Sequence, residues 1–167
     1  MRGIVINEKL LQEIKISDTP KSNRIKNLAL CMAKPIGEIL RWTRRHTFYT
    51  HFLCNQLYGS TGQKVDMHDL ESAKYRCLQQ FELTYLYYKK LLSPNQWKVT
   101  AAIAKEDMVE EVTAKDFLNK FNLSASSTHQ AVKALVKDGI LYEMLDNERV
   151  KYMVYDVFFS RWLQWMV

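Results

Sequence analysis

Apolar residues recur at spacings of three and four along most of this chain and switch to strict alternation only near its end. The longest stripe is Leu70, Ala73, Cys77, Leu78, Phe81, Tyr85 and Tyr88, which predicts one amphipathic helix from Asp66 to about Leu91. Asp66 can cap the free amides of the first turn, and Asp69 favours the positive end of the helix dipole. At about 1.5 Å per residue this helix would be about 39 Å long, enough to act as a spine between two subdomains. Its aromatic run Tyr85, Tyr87 and Tyr88 could offer a base-stacking platform, but core packing already explains the spacing.

Upstream the pattern is shorter and more broken. Leu10, Leu11 and Ile14 form a brief stripe within Ile6–Ile16, which Pro20 and its small polar neighbours end. Helical pattern resumes from Asn23. Pro35 suits the first turn of a helix running to about Arg45, with Ile36, Ile39, Leu40 and Thr43 facing inward. Another runs from Thr47 to Tyr58 with Phe48, Phe52 and Leu53 inward, and Gly59 suits the left-handed residue after it.

Beyond Ser93 the order of elements becomes specific. Ser93-Pro94 is a cap followed by a proline at the first helical position, opening a helix through Trp97, Ala101, Ile103 and Ala104. Residues 113–116 open a shorter helix with Phe117 and Leu118 inside, and Phe121-Asn-Leu123 is a tight connection. Ser124 caps a third helix, from Ala125 to Asp138, which Gly139 stops. Ile140–Leu145 and Arg149–Tyr155 then alternate around a turn at Asp146-Asn147-Glu148, the signature of a hairpin. Val157 to Trp165 closes the chain as an apolar helix. Helix, short helix, turn, helix and hairpin is the order of a winged helix. The expected fold is therefore mainly α: a helical bundle over 1–92, followed by a winged helix-turn-helix with a short β-hairpin wing over 93–167.

Composition agrees with a folded, helix-rich chain: 47% of its 167 residues are apolar and 25% charged, with five Gly and three Pro. No stretch is apolar enough for a membrane span and the start carries no secretory signal, so a cytoplasmic location and no membrane partner are expected. Cys31, Cys54 and Cys77 form no C-x-x-C pair and read as ordinary buried thiols. The net charge of +6 changes meaning once it is divided. Residues 1–92 hold 15 Lys and Arg against 8 Asp and Glu, whereas 93–167 hold 9 against 10. The basic excess lies outside the part that resembles a DNA reader, which argues against strong autonomous binding through phosphate neutralisation.

On the third helix of that module Thr128, Val132, Leu135 and Val136 make the inner stripe, while Ser126, Gln130, Lys133 and Lys137 share the opposite face. In helix-turn-helix readers that face enters the major groove of double-stranded DNA. Ser126 and Ser127 can meet phosphate at the helix N-terminus, Gln130 carries the donor and acceptor that read adenine, and the lysines suit phosphate. Arg149 and Lys151 on the wing could reach backbone phosphates, against the opposing charge of Asp146 and Glu148. The same face equally suits a solvated helix in a protein-interaction module.

Catalytic chemistry finds no support. Gly59-Ser-Thr-Gly62-Gln-Lys64 departs from the P-loop pattern, with two residues between its glycines and Val65 after the lysine. His51 and Cys54 share a helix face but lack an orienting third group, and a buried thiol beside a polar histidine explains them. His46 and His51, five apart, do not share a face, so neither a metal site nor a cofactor is expected.

Residues 38–58, from Glu38-Ile-Leu-Arg-Trp to Asn55-Gln-Leu-Tyr, resemble the helical lid segment of the archaeal-type AAA+ ATPases, a group also widespread in Bacteroidetes. Leu92–Lys105 resembles the helix that begins their C-terminal winged helix, and Phe117–Leu123, Ser126-Ser127, Ala131–Leu135 and Tyr155–Leu163 continue the likeness. The resemblance covers about 38–163. It implies the lid and winged-helix portion of such an ATPase without the Walker A and Walker B strands, and hence no ATPase activity from this chain alone. Arg45 stands where the lid motif usually has glycine before histidine. Arg44 or Arg45 would be the basic groups near a nucleotide if an ATPase half were present. The resemblance thus implies a DNA-binding or regulatory module, with a partner P-loop ATPase in cis or in trans as the alternative. A homodimer through the aromatic C-terminal helix, with Trp162 and Trp165 as its seam, is a further expectation.

Overall fold

The computed structural model describes residues 35–58, 65–146 and 149–166. The expected stripe at Leu10–Ile14, Cys31, the 59–64 segment and the Asn147-Glu148 part of the wing turn lie outside them. The described helices are α1 (35–42), α2 (Thr47–Tyr58), α3 (Met67–Leu91), α4 (Pro94–Glu106), α5 (Lys115–Phe121), α6 (Ala125–Lys137) and α7 (Val157–Met166). Among the described residues one antiparallel hairpin, β1 (Leu141–Asp146) with β2 (Arg149–Val154), sits between α6 and α7. The mainly α fold with a terminal hairpin is as the sequence predicts.

Local chemistry sets the ends of these helices. At the start of α3 the Asp66 carboxylate accepts from the Asp69 amide at 2.8 Å, and Asp69 returns the favour to the Asp66 amide at 3.1 Å. Ser93 and Gln96 make the same reciprocal box ahead of α4, whose first residue is Pro94. Three helices end alike, through a left-handed residue flanked by paired backbone bonds. Arg44, Asn122 and Gly139 occupy that position, with φ of 51°, 49° and 71°. The expected Ser124 cap is not formed: its hydroxyl bonds the Ser127 hydroxyl at 2.7 Å instead of a helix amide. α5 likewise starts without a side-chain cap, at Ala114.

The first helix is shorter than expected, ending at residue 42 rather than near Arg45. The reason is the left-handed backbone of both Arg44 and Arg45 (φ 57°), which closes the helix. Its inner face also shifts. Ile39 and Thr43 are buried, whereas Ile36 and Leu40 are exposed. On α2, Leu53 is buried and Phe52 packs on the core, but Phe48 is exposed and lies edge-on to Tyr49.

Helix α4 is the centre of the molecule. Six consecutive residues, Val99 to Ala104, are buried, three of them alanines, so neighbours can approach on every side. α6, α7 and β2 all pack against it. α7 in turn packs on α3, and the buried core runs without a break from Ile39 to Leu163. Phe158 and Phe159 on α7 meet rings from α1, α2 and α3, as well as Trp97 of α4. Tyr85 is in this core and Tyr88 packs against Phe159, while Tyr87 is exposed. The aromatic run of α3 is thus mainly packing.

An ionic knot ties the turn after α1 to the C-terminal half. Arg44 donates to the Asp107 carboxylate at 2.7 Å, the Val154 carbonyl at 2.8 Å and the Ser160 hydroxyl at 2.9 Å. Arg161 reaches the same carboxylate at 3.0 Å and the Trp42 carbonyl at 2.9 Å. Arg44 is therefore spent inside the fold and is not free to approach a nucleotide.

The hydroxyl of Thr128 is fully buried on the inner face of α6 and has no hydrogen-bond partner among the described residues. An unpaired buried hydroxyl carries its desolvation cost uncompensated. Thr128→Val keeps the shape and removes that cost, so it should raise the unfolding free energy by about 1 kcal/mol in urea titration. A loss would mean that the hydroxyl finds a partner.

Candidate nucleic-acid interface

The inner face of α6 is set by Thr128, Ala131, Val132 and Leu135, all buried against the core. That anchoring leaves the opposite face to solvent. Ser126, Gln130, Lys133 and Lys137 are exposed, and His129 sits beside them. None of these side chains is held in an ion pair or hydrogen bond within the described residues. Ser127 differs. It is half-buried, its hydroxyl is engaged with Ser124, and its carbonyl accepts from Asn95 at 3.0 Å. Of the two predicted serines only Ser126 is free to meet a ligand. Asn95 fixes the first turn of α6 to the first turn of α4, so the exposed face of α6 is carried by a tied pair of helices.

The wing is built from a six-residue ladder pairing Leu141 with Val154 and Asp146 with Arg149. A third strand position, which the sequence reading missed, joins it: Val109 bridges Tyr152 through two backbone bonds of 2.8 and 3.0 Å. A one-residue bridge within Glu106–Val112 gives no alternation to detect, so only the fold reveals it. That bridge brings Glu110 under the wing. Glu110 contacts Arg149 at 3.3 Å and Lys151 at 3.0 Å, and Asp146 contacts Lys151 at 2.8 Å. The two predicted wing cations are thus clasped by carboxylates rather than held out for phosphate. Hydrogen bonds from Lys151 and Arg149 hold the Glu110 carboxyl below the usual range, and those to Asp146 and Glu110 push the Lys151 ammonium up. Both groups stay charged at neutral pH. Between wing and α6 lies an open groove of about 560 Å³, lined by Glu110, Glu111, Thr113, His129, Val150 and Tyr152 among others.

Helix α4, the Val109 bridge, α5, α6 and the two strands follow in the order of a winged helix. Residues 83–165 match a family model described as a probable winged helix domain. The chain carries a winged helix domain. No curated protein and no solved structure matches the chain. The match to the winged helix domain begins inside α3, so the last third of the long helix goes with it.

The other chemistry read from the sequence resolves around this winged helix domain. Cys77 is buried and burial pushes its thiol to about 12, as expected of a packing residue. Cys54 is exposed, contrary to expectation, because it lies on the outer side of α2. His51 on the same helix approaches Asn55 at 3.4 Å. Asp66, His68 and Asp69 hold ligand atoms within 4.8 Å of one another, but both carboxylates are occupied by the capping box of α3. Trp162 cannot be a dimer seam, since it is buried in the core against Tyr85 and Phe159. Trp165 is exposed but rests edge-on against Tyr75 of α3. No helix among the described residues is long and apolar enough to cross a membrane.

Proposed function

We propose that this chain is a non-enzymatic winged-helix module that reads double-stranded DNA through the exposed face of α6. The observation that carries the proposal is the set Ser126, Gln130, Lys133 and Lys137. All four are exposed on one face of an anchored helix, and none is spent on a partner within the described fold. Gln130 can pair with the N6 and N7 edge of adenine. Lys133 and Lys137 lie one and two turns further along, where they meet backbone phosphate, and Ser126 does so at the N-terminus beside the helix dipole. The wing adds little in its clasped state, so binding is of moderate strength and strongly salt-dependent.

The test is a fluorescence-anisotropy titration of the full chain against duplex DNA at two salt concentrations. Lys133→Ala with Lys137→Ala should weaken binding by at least about tenfold at low salt and flatten the log–log salt slope by up to about 1.8, two phosphates' worth. Absent binding, or binding that the double variant leaves unchanged, removes α6 as the reader.

A second reading is favoured by the acidic groove and the Arg44 knot: a regulatory lid module that serves a P-loop ATPase in cis or in trans without touching DNA. Its support is the resemblance over 38–163 and the fastening of α1 to the winged helix, which makes the two move as one body. A P-loop domain encoded directly upstream would favour this reading. In either case no nucleotide hydrolysis is expected of the chain alone, and tight ATP binding in calorimetry would overturn that.

A further inference from the structure

We infer that Glu110 is a specificity-determining residue, which keeps the cations of the wing from adding sequence-independent phosphate binding to the base reading of α6. The inference rests on the DNA reading proposed above and concerns how that same site is tuned.

Counterion release explains why such a clasp matters. A cation that neutralises a phosphate frees one condensed counterion, and the gain is indifferent to sequence. A cation that must first leave a carboxylate strands that carboxylate beside the DNA, where it holds a counterion back and cancels the gain. The wing of this protein is arranged for such cancellation. Arg149 is exposed and lines, with His129 of α6, the groove between wing and helix, yet its ion-pair partner among the described residues is Glu110. Lys151 is largely buried along its stem and sits between two carboxylates, Glu110 and Asp146. Glu110 is placed there by backbone, not by chance of side-chain rotation: the Val109–Tyr152 bridge fixes the preceding residue in the sheet. Its neighbour Glu111 lines the same groove and makes no ion pair within the described residues, so it supplies a built-in control of equal charge.

The consequence is graded. Glu110→Gln releases Arg149 fully but leaves Lys151 with Asp146, whereas Glu110→Gln with Asp146→Asn releases both. Affinity for random-sequence duplex DNA would be measured by anisotropy from about 50 to 200 mM KCl, the span over which phosphate contacts are most readily counted, for the full chain and its variants. The single variant should steepen the log–log salt slope by about 0.9 and the double variant by about 1.8, with tighter binding at low salt in the same order. Adding Arg149→Ala to the single variant should return the slope to that of the parent. Glu111→Gln should change the slope by less than half as much as Glu110→Gln.

The outcomes separate cleanly. If the parent binds DNA through Lys133 and Lys137 but Glu110→Gln has no effect, or Glu111→Gln matches it, the clasp is refuted while the reading by α6 stands. If neither the parent nor any glutamine variant binds duplex at the lowest salt, both fall together.

Discussion

Asp107→Asn should lower the unfolding free energy by about 2 kcal/mol and flatten the loss of stability in acid. Asp107 is the only carboxylate, among the described residues, in contact with Arg44 and Arg161, whose side chains are 15% and 12% exposed. Removing the counter-charge of a buried pair commonly costs about 3–5 kcal/mol. Water reaches Asp107, whose side chain is half exposed, and the remaining charges are screened accordingly. The lower figure follows from that screening. Asparagine keeps the size of the side chain and tolerates the positive φ of 63° at this position, so the effect isolates the charge. Burial alone would push the Asp107 carboxyl up, but the hydrogen bond from Arg44 and the charges of Arg44 and Arg161 outweigh it, and the group lies below its ordinary range. The same balance holds for Glu38, against Lys74 and Arg41. A carboxyl with a depressed folded-state pKa contributes stability that is fully present above its unfolded value and lost as pH falls through the folded one. Urea midpoints measured from neutral pH to below about pH 4, where free carboxyls titrate, should fall steeply for the parent and less for Asp107→Asn. Equal midpoints at neutral pH would show that the knot contributes nothing.

That knot marks where sequence reading stopped. The elements of the winged helix were legible because each has a local cause: Ser93-Pro94 at the head of α4, Asn122 and Gly139 at the ends of α5 and α6, alternation in the two strands. The division of α6 into an inner and an exposed face was legible for the same reason, since helical periodicity alone separates Thr128 and Leu135 from Gln130 and Lys133. What depends on partners distant in the chain was not. Arg44 lies 63 residues from Asp107 and 116 from Ser160, and no spacing rule links them. The clasp on the wing failed to show for a related reason. Asp146 could be seen to oppose Lys151, being on the same hairpin, but Glu110 arrives from 39 residues upstream of Arg149 through a one-residue bridge. The errors on α1 and α2 have another origin. Ile36, Leu40 and Phe48 fit a helical stripe, but two short helices joined by left-handed arginines cannot keep one face in register across the turn. Ile39, Thr43, Phe52 and Leu53 keep their predicted inner places, and Tyr49 and Leu57 join them.

The same turn bears on how the two parts of the chain act. The helical pair α1 and α2 and the winged helix could be independent bodies joined by α3, yet they share a ring cluster. Phe158 is 1% exposed. Its ring centroid lies 5.3 Å from that of Trp42, 4.7 Å from Tyr49, 5.6 Å from Phe52 and 5.9 Å from Phe81. One residue of the last helix therefore meets α1, α2 and α3. Edge-on and tilted pairs of this kind each add about 0.5–1.5 kcal/mol beyond burial.

Phe158→Ala should accordingly cost about 4 kcal/mol, mid-range for loss of a buried aromatic ring, and it should split the unfolding into two transitions. With a shared core, urea unfolding followed by tryptophan fluorescence and by circular dichroism should give coincident transitions in the parent. Truncation of Phe158 removes the ring on which Trp42, Tyr49 and Phe52 converge, so the helices before α3 should lose their hold first. In the variant the fluorescence transition, which includes Trp42, should then move to lower urea than the helical signal of α3 and α4. Phe158→Leu fills most of the space and should cost less than half as much while keeping the two transitions together. Separate transitions in the parent, or a loss below about 1 kcal/mol in the alanine variant, would show that the helical part and the winged helix are stable apart. A regulatory signal could not then pass from one to the other through this cluster. If the transitions do coincide, α6 unfolds as one cooperative unit with the helices that precede it, so a ligand that stabilises those helices also stabilises the face proposed to read DNA.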